Sequence, residues 1–196
     1  MNKKRTIISI ILLFIFLLIT YLVINGYTYR FDDKIYEFII KGQNDIITSF
    51  MKIYTQLGGP YILVPLTLIL IYFYRNTSYK FLIPLNFIGV YLLNFLIKNI
   101  IERPRPVGIN LITESGFSFP SGHAMVSMAF YSYLAYLLNK KISPKYHILV
   151  YAIIFLLVVF VSITRIYLGV HYASDVVAGI ILGLFFVINF ITISKK

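Results

Sequence analysis

Six apolar stretches divide this chain, at residues 7–24, 61–74, 81–97, 120–138, 148–163 and 176–193. Runs of about 17–25 apolar residues match a hydrocarbon layer about 30 Å thick. Inside lipid every backbone N–H and C=O must be satisfied within the protein, so segments of this kind are helices. The expected fold is therefore all-α, an integral membrane bundle of six transmembrane helices. Composition agrees: 59% of residues are hydrophobic, 13% are charged and the mean hydropathy is +0.84, far from a soluble domain. In a soluble protein the net charge of +11 would suggest nucleic acid, but in this setting it reads as a membrane-orientation signal and no nucleic-acid partner is expected.

The first run follows Lys3, Lys4 and Arg5, as in a signal peptide. No small-residue cleavage site follows it, so a retained first span is expected. Residues 27–56 mix charges with apolar positions at helical spacing: Ile46, Ile47, Phe50, Met51, Tyr54 and Leu57. That pattern predicts short amphipathic helices on the membrane surface between spans one and two. No repeat or Gly/Ser linker interrupts the chain, which is read as one domain over residues 1–196.

An even number of spans puts both termini on one side. That side then carries Lys3, Lys4, Arg5, Arg75, Lys80, Lys140, Lys141, Lys145, Lys195 and Lys196, and no acid. The opposite side holds the other basic residues and all seven acids: Asp32, Asp33, Glu37, Asp45, Glu102, Glu114 and Asp175. Short basic loops stay in the cytoplasm, so the termini are expected there and the acid-bearing connectors on the outer face.

Two of those outer connectors gather chemistry. Pro120-Ser121-Gly122-His123 opens the fourth span. Pro120 ends the preceding structure, Ser121 is a candidate cap, and Gly122 admits a ligand close to the backbone. The first N–H groups of a helix and its dipole favour an anion at such a start, with His123 beside it. An ordinary capped helix start has the same look. Lys98 ends the third span, where a charge near lipid must face protein or water, or reach to the headgroups. Arg105 is held by Pro104 and Pro106, and its planar fork suits a phosphate; a solvated loop charge is the plainer alternative. Its neighbours Glu102 and Arg103 read as solvated charges or a structural pair. Arg165 closes the fifth span. His171 and Asp175 lie four apart, on one face if the segment is helical from about His171. A carboxylate there fixes the imidazole tautomer and frees the other nitrogen to attack.

Cations, helix start, two histidines and one oriented carboxylate describe phosphoryl transfer without a metal. The cations stabilise the charge that develops on phosphoryl oxygens. His171 attacks phosphorus, His123 protonates the departing oxygen, and water then hydrolyses the phosphohistidine. No cofactor is expected. The chain has no cysteine for thiolate ligation, and its three histidines leave little for a histidine metal cluster.

The set Lys98-x6-Arg105-Pro106, Pro120-Ser121-Gly122-His123 and Arg165-x5-His171-x3-Asp175 resembles the three-part signature of the type 2 phosphatidic acid phosphatase family. Vanadium haloperoxidases and bacterial acid phosphatases share that superfamily. The resemblance implies Lys98, Arg105 and Arg165 on phosphate, helped by Ser121 and the Gly122 backbone. It also implies His171 as nucleophile, Asp175 as its orienting partner and His123 as acid and base. The third motif usually begins Ser-Arg, and here it begins Thr164-Arg165.

The expected function is a membrane lipid phosphatase of the outer face. Its substrate would be a lipid phosphate or pyrophosphate lying in the bilayer: undecaprenyl pyrophosphate, phosphatidylglycerophosphate or phosphatidic acid. Phosphotransfer to another lipid shares the same intermediate. A non-enzymatic anion or lipid-phosphate transporter would use the same cations but has no need of the histidine pair. A vanadate-dependent haloperoxidase fits a membrane-embedded chain poorly. Richness in Ile, Lys, Asn and Tyr, with no Trp, points to an AT-rich genome, and with the outer-face site to a bacterial plasma membrane. Oligomeric state is not legible.

Overall fold

The computed structural model describes residues 3–108 and 110–194. Lys195 and Lys196, counted in the charge sorting above, lie outside the described residues. The described chain is helical, with no strand: α1 (Lys3–Ile24), α2 (Tyr29–Ile40), α3 (Asp45–Tyr54), α4 (Pro60–Phe73), α5 (Tyr79–Ile101), α6 (Gly122–Asn139), α7 (His147–Tyr167) and α8 (Ala173–Ile193).

Helix α6 is the central post. It packs against α8, α7 and α5, while α1 lies on α8 and α4 on α5. Twelve of its eighteen residues are buried. Because its neighbours are protein rather than lipid, α6 accommodates Ser127, Tyr131, Ser132 and Tyr133 among its apolar positions. The surrounding helices turn large apolar side chains outward, Phe14 on α1, Leu68 on α4 and Phe81 on α5 among them. Such a surface suits hydrocarbon and not water.

Five segments are long and apolar enough to cross a membrane: Lys3–Ile24, Asp45–Phe73, Tyr79–Ile101, Pro144–Tyr167 and Ala173–Ile193. The fourth expected span, now α6, falls outside that set for the reason just given. The second expected span was residues 61–74, and the structure shows why it looked short. At about 1.5 Å per residue, α4 alone rises only about 21 Å. It continues α3 through a 3-10 turn at Thr55–Gly58, and the whole of Asp45–Phe73 forms the apolar segment.

The residues expected to form surface helices fold as α2 and α3, and both dock on the bundle. Ile35, Tyr36 and Ile39 of α2 pack on Ala124, Ile166, Ala173 and Val176. Ile47 and Met51 of α3 pack on Tyr167, Leu168 and Val170, and Thr48 shares a 2.8 Å hydrogen bond with the Tyr167 hydroxyl. Both helices thus cover the end of the bundle where the 102–121 and 168–172 connectors lie.

Close approach of α8 to α6 fixes that end. A Cβ at Gly179 would sit 2.7 Å from the Ser121 carbonyl oxygen, and one at Gly183 would sit 2.6 Å from that of Met125. Small residues four apart allow such backbone contact between membrane helices, where packing replaces the hydrophobic drive. Gly183→Ala forces the helices apart and is expected to cost about 1–3 kcal/mol. A lowered unfolding temperature in detergent checks this; an unchanged one shows that α8 has room to shift.

Candidate active site

Three breaks in helix bring the charged residues to one place. Helix α5 ends at Glu102, in the left-handed region with φ +49, its N–H still donating to the Lys98 carbonyl. The connector then folds back, with Ser118 N–H donating to Arg103 O at 2.8 Å. Ser121 N–H donates to Asp175 O at 3.0 Å, which ties the start of α6 to the first turn of α8. Gly169, at φ +72, turns the chain out of α7 and presents His171 just ahead of α8. His171 is therefore in the connector and not on the helix expected from about that residue. Asp175 still reaches back to it from the first turn, and its Oδ2 also accepts the Tyr172 N–H at 3.0 Å.

A cavity of about 350 Å³ holds Lys98, Arg105, Gly122, His123, Arg165 and His171, with Glu114 at its edge. Tyr91, Asn94 and Phe95 of α5 complete its wall. Tyr91 and Phe95 are themselves more than half exposed on the outward side of α5. The cationic cavity thus has an apolar side on the exposed surface of α5.

His171 is buried and its two nitrogens face different groups. Nδ1 lies 3.4 Å from Asp175 Oδ2 and 3.3 Å from Ser118 Oγ, and Nε2 lies 3.4 Å from Arg105 Nη1. Asp175 accepts the Nδ1 proton in this arrangement, which leaves the Nε2 lone pair toward the cations. Burial pushes the His171 imidazole down to about 4; the Asp175 hydrogen bond and charge pull the other way and only partly offset it. The ring is neutral, and so nucleophilic, at neutral pH.

The three expected phosphate-binding cations are each held from behind. Arg105 donates to the carbonyls of Gly116 (3.0 Å), Val170 (2.8 Å) and Ser115 (2.9 Å). Lys98 Nζ donates to the Phe117 carbonyl and to that of Ser118 at 3.4 Å. Arg165, buried, donates to Thr55 Oγ1 at 2.8 Å and pairs with Glu114. Its Nε has no hydrogen-bond partner among the described residues. Thr164, the departure from the usual motif, bonds its own helix at Val161 O (2.6 Å) and keeps its hydroxyl away from the cavity.

Two expectations at the start of α6 change. Ser121 occupies the N-cap position but makes no side-chain cap, and its buried hydroxyl is unpartnered among the described residues. The close approach at Gly122 is to Asn94, whose Oδ1 would lie 3.1 Å from an added Cβ. The glycine thus also eases the packing of α5 on α6, where a larger residue would press on the Asn94 side chain, while its N–H still belongs to the free start of the helix.

Arg103 was the residue misjudged from sequence. It is buried, not solvated, and it pairs with Asp32 (2.9 Å) and Asp175 (2.6 Å) rather than with Glu102. Asp32 was overlooked as well. A signal existed: Asp32, Ile35, Tyr36 and Ile39 follow i, i+3, i+4, i+7, so the acid sits in the apolar stripe of α2. An acid in such a stripe requires a buried cation. Ser118, which donates to Asp175 Oδ2, carries no comparable signal.

Residues 44–196 match the PAP2 superfamily. Phosphatidylglycerophosphatase B of Bacillus subtilis (strain 168) is 41% identical over 146 residues, 72% of this chain and 70% of that protein. An undecaprenyl-diphosphatase of Sulfolobus acidocaldarius is 28% identical over 89% of this chain and 84% of that protein. The fold is similar to the crystal structure of a transmembrane PAP2-type phosphatidylglycerolphosphate phosphatase from Bacillus subtilis. The TM-score is 0.89, with 34% identity and 96% of each chain covered.

Proposed function

We propose that this chain, which belongs to the PAP2 superfamily, is a membrane lipid phosphatase that transfers phosphate from the lipid to His171 and then to water. One observation carries the reading. The His171 imidazole, oriented by Asp175 at Nδ1, turns its Nε2 toward Arg105 in a cationic cavity bordered by the exposed rings of Tyr91 and Phe95. The lipid tail stays in the bilayer while the phosphate reaches the cavity sideways past Tyr91 and Phe95.

Lys98, Arg105 and Arg165 take the phosphate oxygens, and Glu114 gives up Arg165 as they arrive. Ser121 Oγ, Arg165 Nε and the first N–H groups of α6 are the remaining donors. His171 Nε2 attacks phosphorus in line, the bond from phosphorus to the lipid oxygen breaks, and His123 gives that oxygen a proton. His123 then takes a proton from water, which attacks phosphorus and breaks the N–P bond to release phosphate. Binding or transport alone leaves the His171–Asp175 pair without a task. The chain crosses the membrane six times, with α6 as the central crossing. The basic short loops hold the termini in the cytoplasm and the site on the outer face.

Two results follow. Phosphate release in detergent is expected to persist in EDTA. Phosphatidylglycerophosphate is the first substrate to compare with phosphatidic acid and undecaprenyl pyrophosphate, given the relatives' names. Loss of all three activities in EDTA, restored by a divalent cation, overturns the metal-free reading. The second concerns pH. Since burial disfavours the imidazolium of His171, the nucleophile stays neutral until pH falls toward 4. The acidic limb of kcat/KM is expected well below the ordinary histidine value of about 6.5. A limb at or above that value shows that another group governs it.

A further inference from the structure

A buried charge cluster lies behind the site, and the reaction as written does not use it. Arg103 Nη1 donates to Asp175 Oδ1 at 2.6 Å and to Ser174 Oγ at 2.8 Å, and Nη2 donates to Asp32 Oδ2 at 2.9 Å. Asp32 in turn accepts the Ser174 N–H at 2.7 Å and the Ser174 hydroxyl at 2.8 Å. The Tyr172 ring lies flat under the guanidinium, 4.0 Å away. Asp32 is 2% exposed and is the buried residue of α2, a helix that precedes the matched residues 44–196.

We propose that Asp32 and Arg103 are positioning residues for the hydrolysis, a carboxylate–guanidinium clamp that fixes the rotation of the Asp175 carboxylate. The inference rests on the reading that Asp175 orients His171.

The geometry gives each oxygen of Asp175 a separate duty. Oδ1 is taken by Arg103, so Oδ2 is the oxygen left for His171, steadied by Ser118 Oγ and the Tyr172 N–H. A carboxylate free to rotate would present either oxygen and hold the imidazole less well. Asp32 completes the clamp from the other side: it holds Nη2, so the guanidinium cannot swing away from Asp175. Mere docking of α2 is served by Ile35, Tyr36 and Ile39, whereas a buried ion triad is a costly way to join helices. Partners behind a catalytic group that fix its orientation are commonly worth ~10–100-fold in activity.

The test is a double-mutant cycle on kcat, with phosphatidic acid in detergent, comparing wild type, Asp32→Asn, Asp175→Asn and the double variant. Asp32→Asn is expected to lower kcat ~10-fold or more with KM unchanged. In the Asp175→Asn background the same change is expected to cost less than ~2-fold, because the group it acts through is gone. An equal loss in both backgrounds makes Asp32 a general structural residue and overturns the inference. So does wild-type kcat in Asp32→Asn while Asp175→Asn is crippled. Wild-type kcat in Asp175→Asn is a different failure, that of the underlying reading. If Asp32→Asn gives no folded protein, Arg103→Lys goes through the same cycle. It keeps the charge and stem but cannot bridge both carboxylates, and the same outcomes decide.

Discussion

His171→Ala protein is expected to release no measurable phosphate from any lipid, a loss of at least ~10⁴-fold in kcat. The size follows from the role. An orienting group lost from a site leaves the reaction path intact and merely slower, but a lost nucleophile closes the path altogether. The cations proposed to bind the substrate are anchored mainly by groups other than His171, which only Arg105 touches, at 3.4 Å. Lys98 is held by the carbonyls of Phe117 and Ser118, Arg105 by three carbonyls, and Arg165 by Thr55. Inorganic phosphate, followed as protection against thermal unfolding, is therefore expected to bind the variant about as well as wild type. Turnover within ~10-fold of wild type, or loss of phosphate binding together with activity, contradicts the assignment.

His123→Ala is expected to cost ~10²–10⁴-fold in kcat/KM on a lipid phosphate, and much less on an aryl phosphate. His123 lines the same cavity as His171 and makes no side-chain hydrogen bond among the described residues, so its imidazole is free to exchange a proton. A lipid alkoxide is a poor leaving group that departs only as it gains a proton. A nitrophenolate leaves unaided, so deleting the acid barely touches that step. The comparison is a ratio of kcat/KM values for p-nitrophenyl phosphate and phosphatidic acid, in wild type and variant, because kcat/KM ends at formation of the phosphohistidine and leaves out the later hydrolysis in which His123 is the base. A ratio that stays constant assigns His123 to binding or packing instead, a role its closeness to Gly58 and Gly59 would allow.

The cationic side of the site was legible because it is written in short spacings. Lys98 to Arg105, Ser121 to His123 and His171 to Asp175 each sit within a few residues of one another. The bundle was legible for a similar reason: each lipid-facing helix carries its own apolar run. What escaped was set by contacts distant in sequence. Arg103 looked like a loop charge beside Glu102 because its partners, Asp32 and Asp175, lie about seventy residues away on each side. Helix α6 did not escape: residues 120–138 stood out as an apolar stretch, although α6 is the most polar of the long helices because its neighbours take the place of lipid. Asp45–Phe73 was split into a surface helix and a short span because the polar turn at Thr55–Gly58 and the extended Gly59 interrupt the pattern between α3 and α4. Glu114, which lines the cationic cavity and pairs with Arg165, gave no sign of doing so.

The most direct measurement is to trap the intermediate. Wild-type protein is mixed with a lipid whose terminal phosphate is radiolabelled, quenched in alkali within milliseconds to seconds, and digested for peptide mapping. Acid-labile, alkali-stable label is expected on the peptide that carries His171, appearing before free phosphate and absent from His171→Ala. Free phosphate released at every time point with no label on the protein, or label on a different residue, contradicts His171 as the nucleophile.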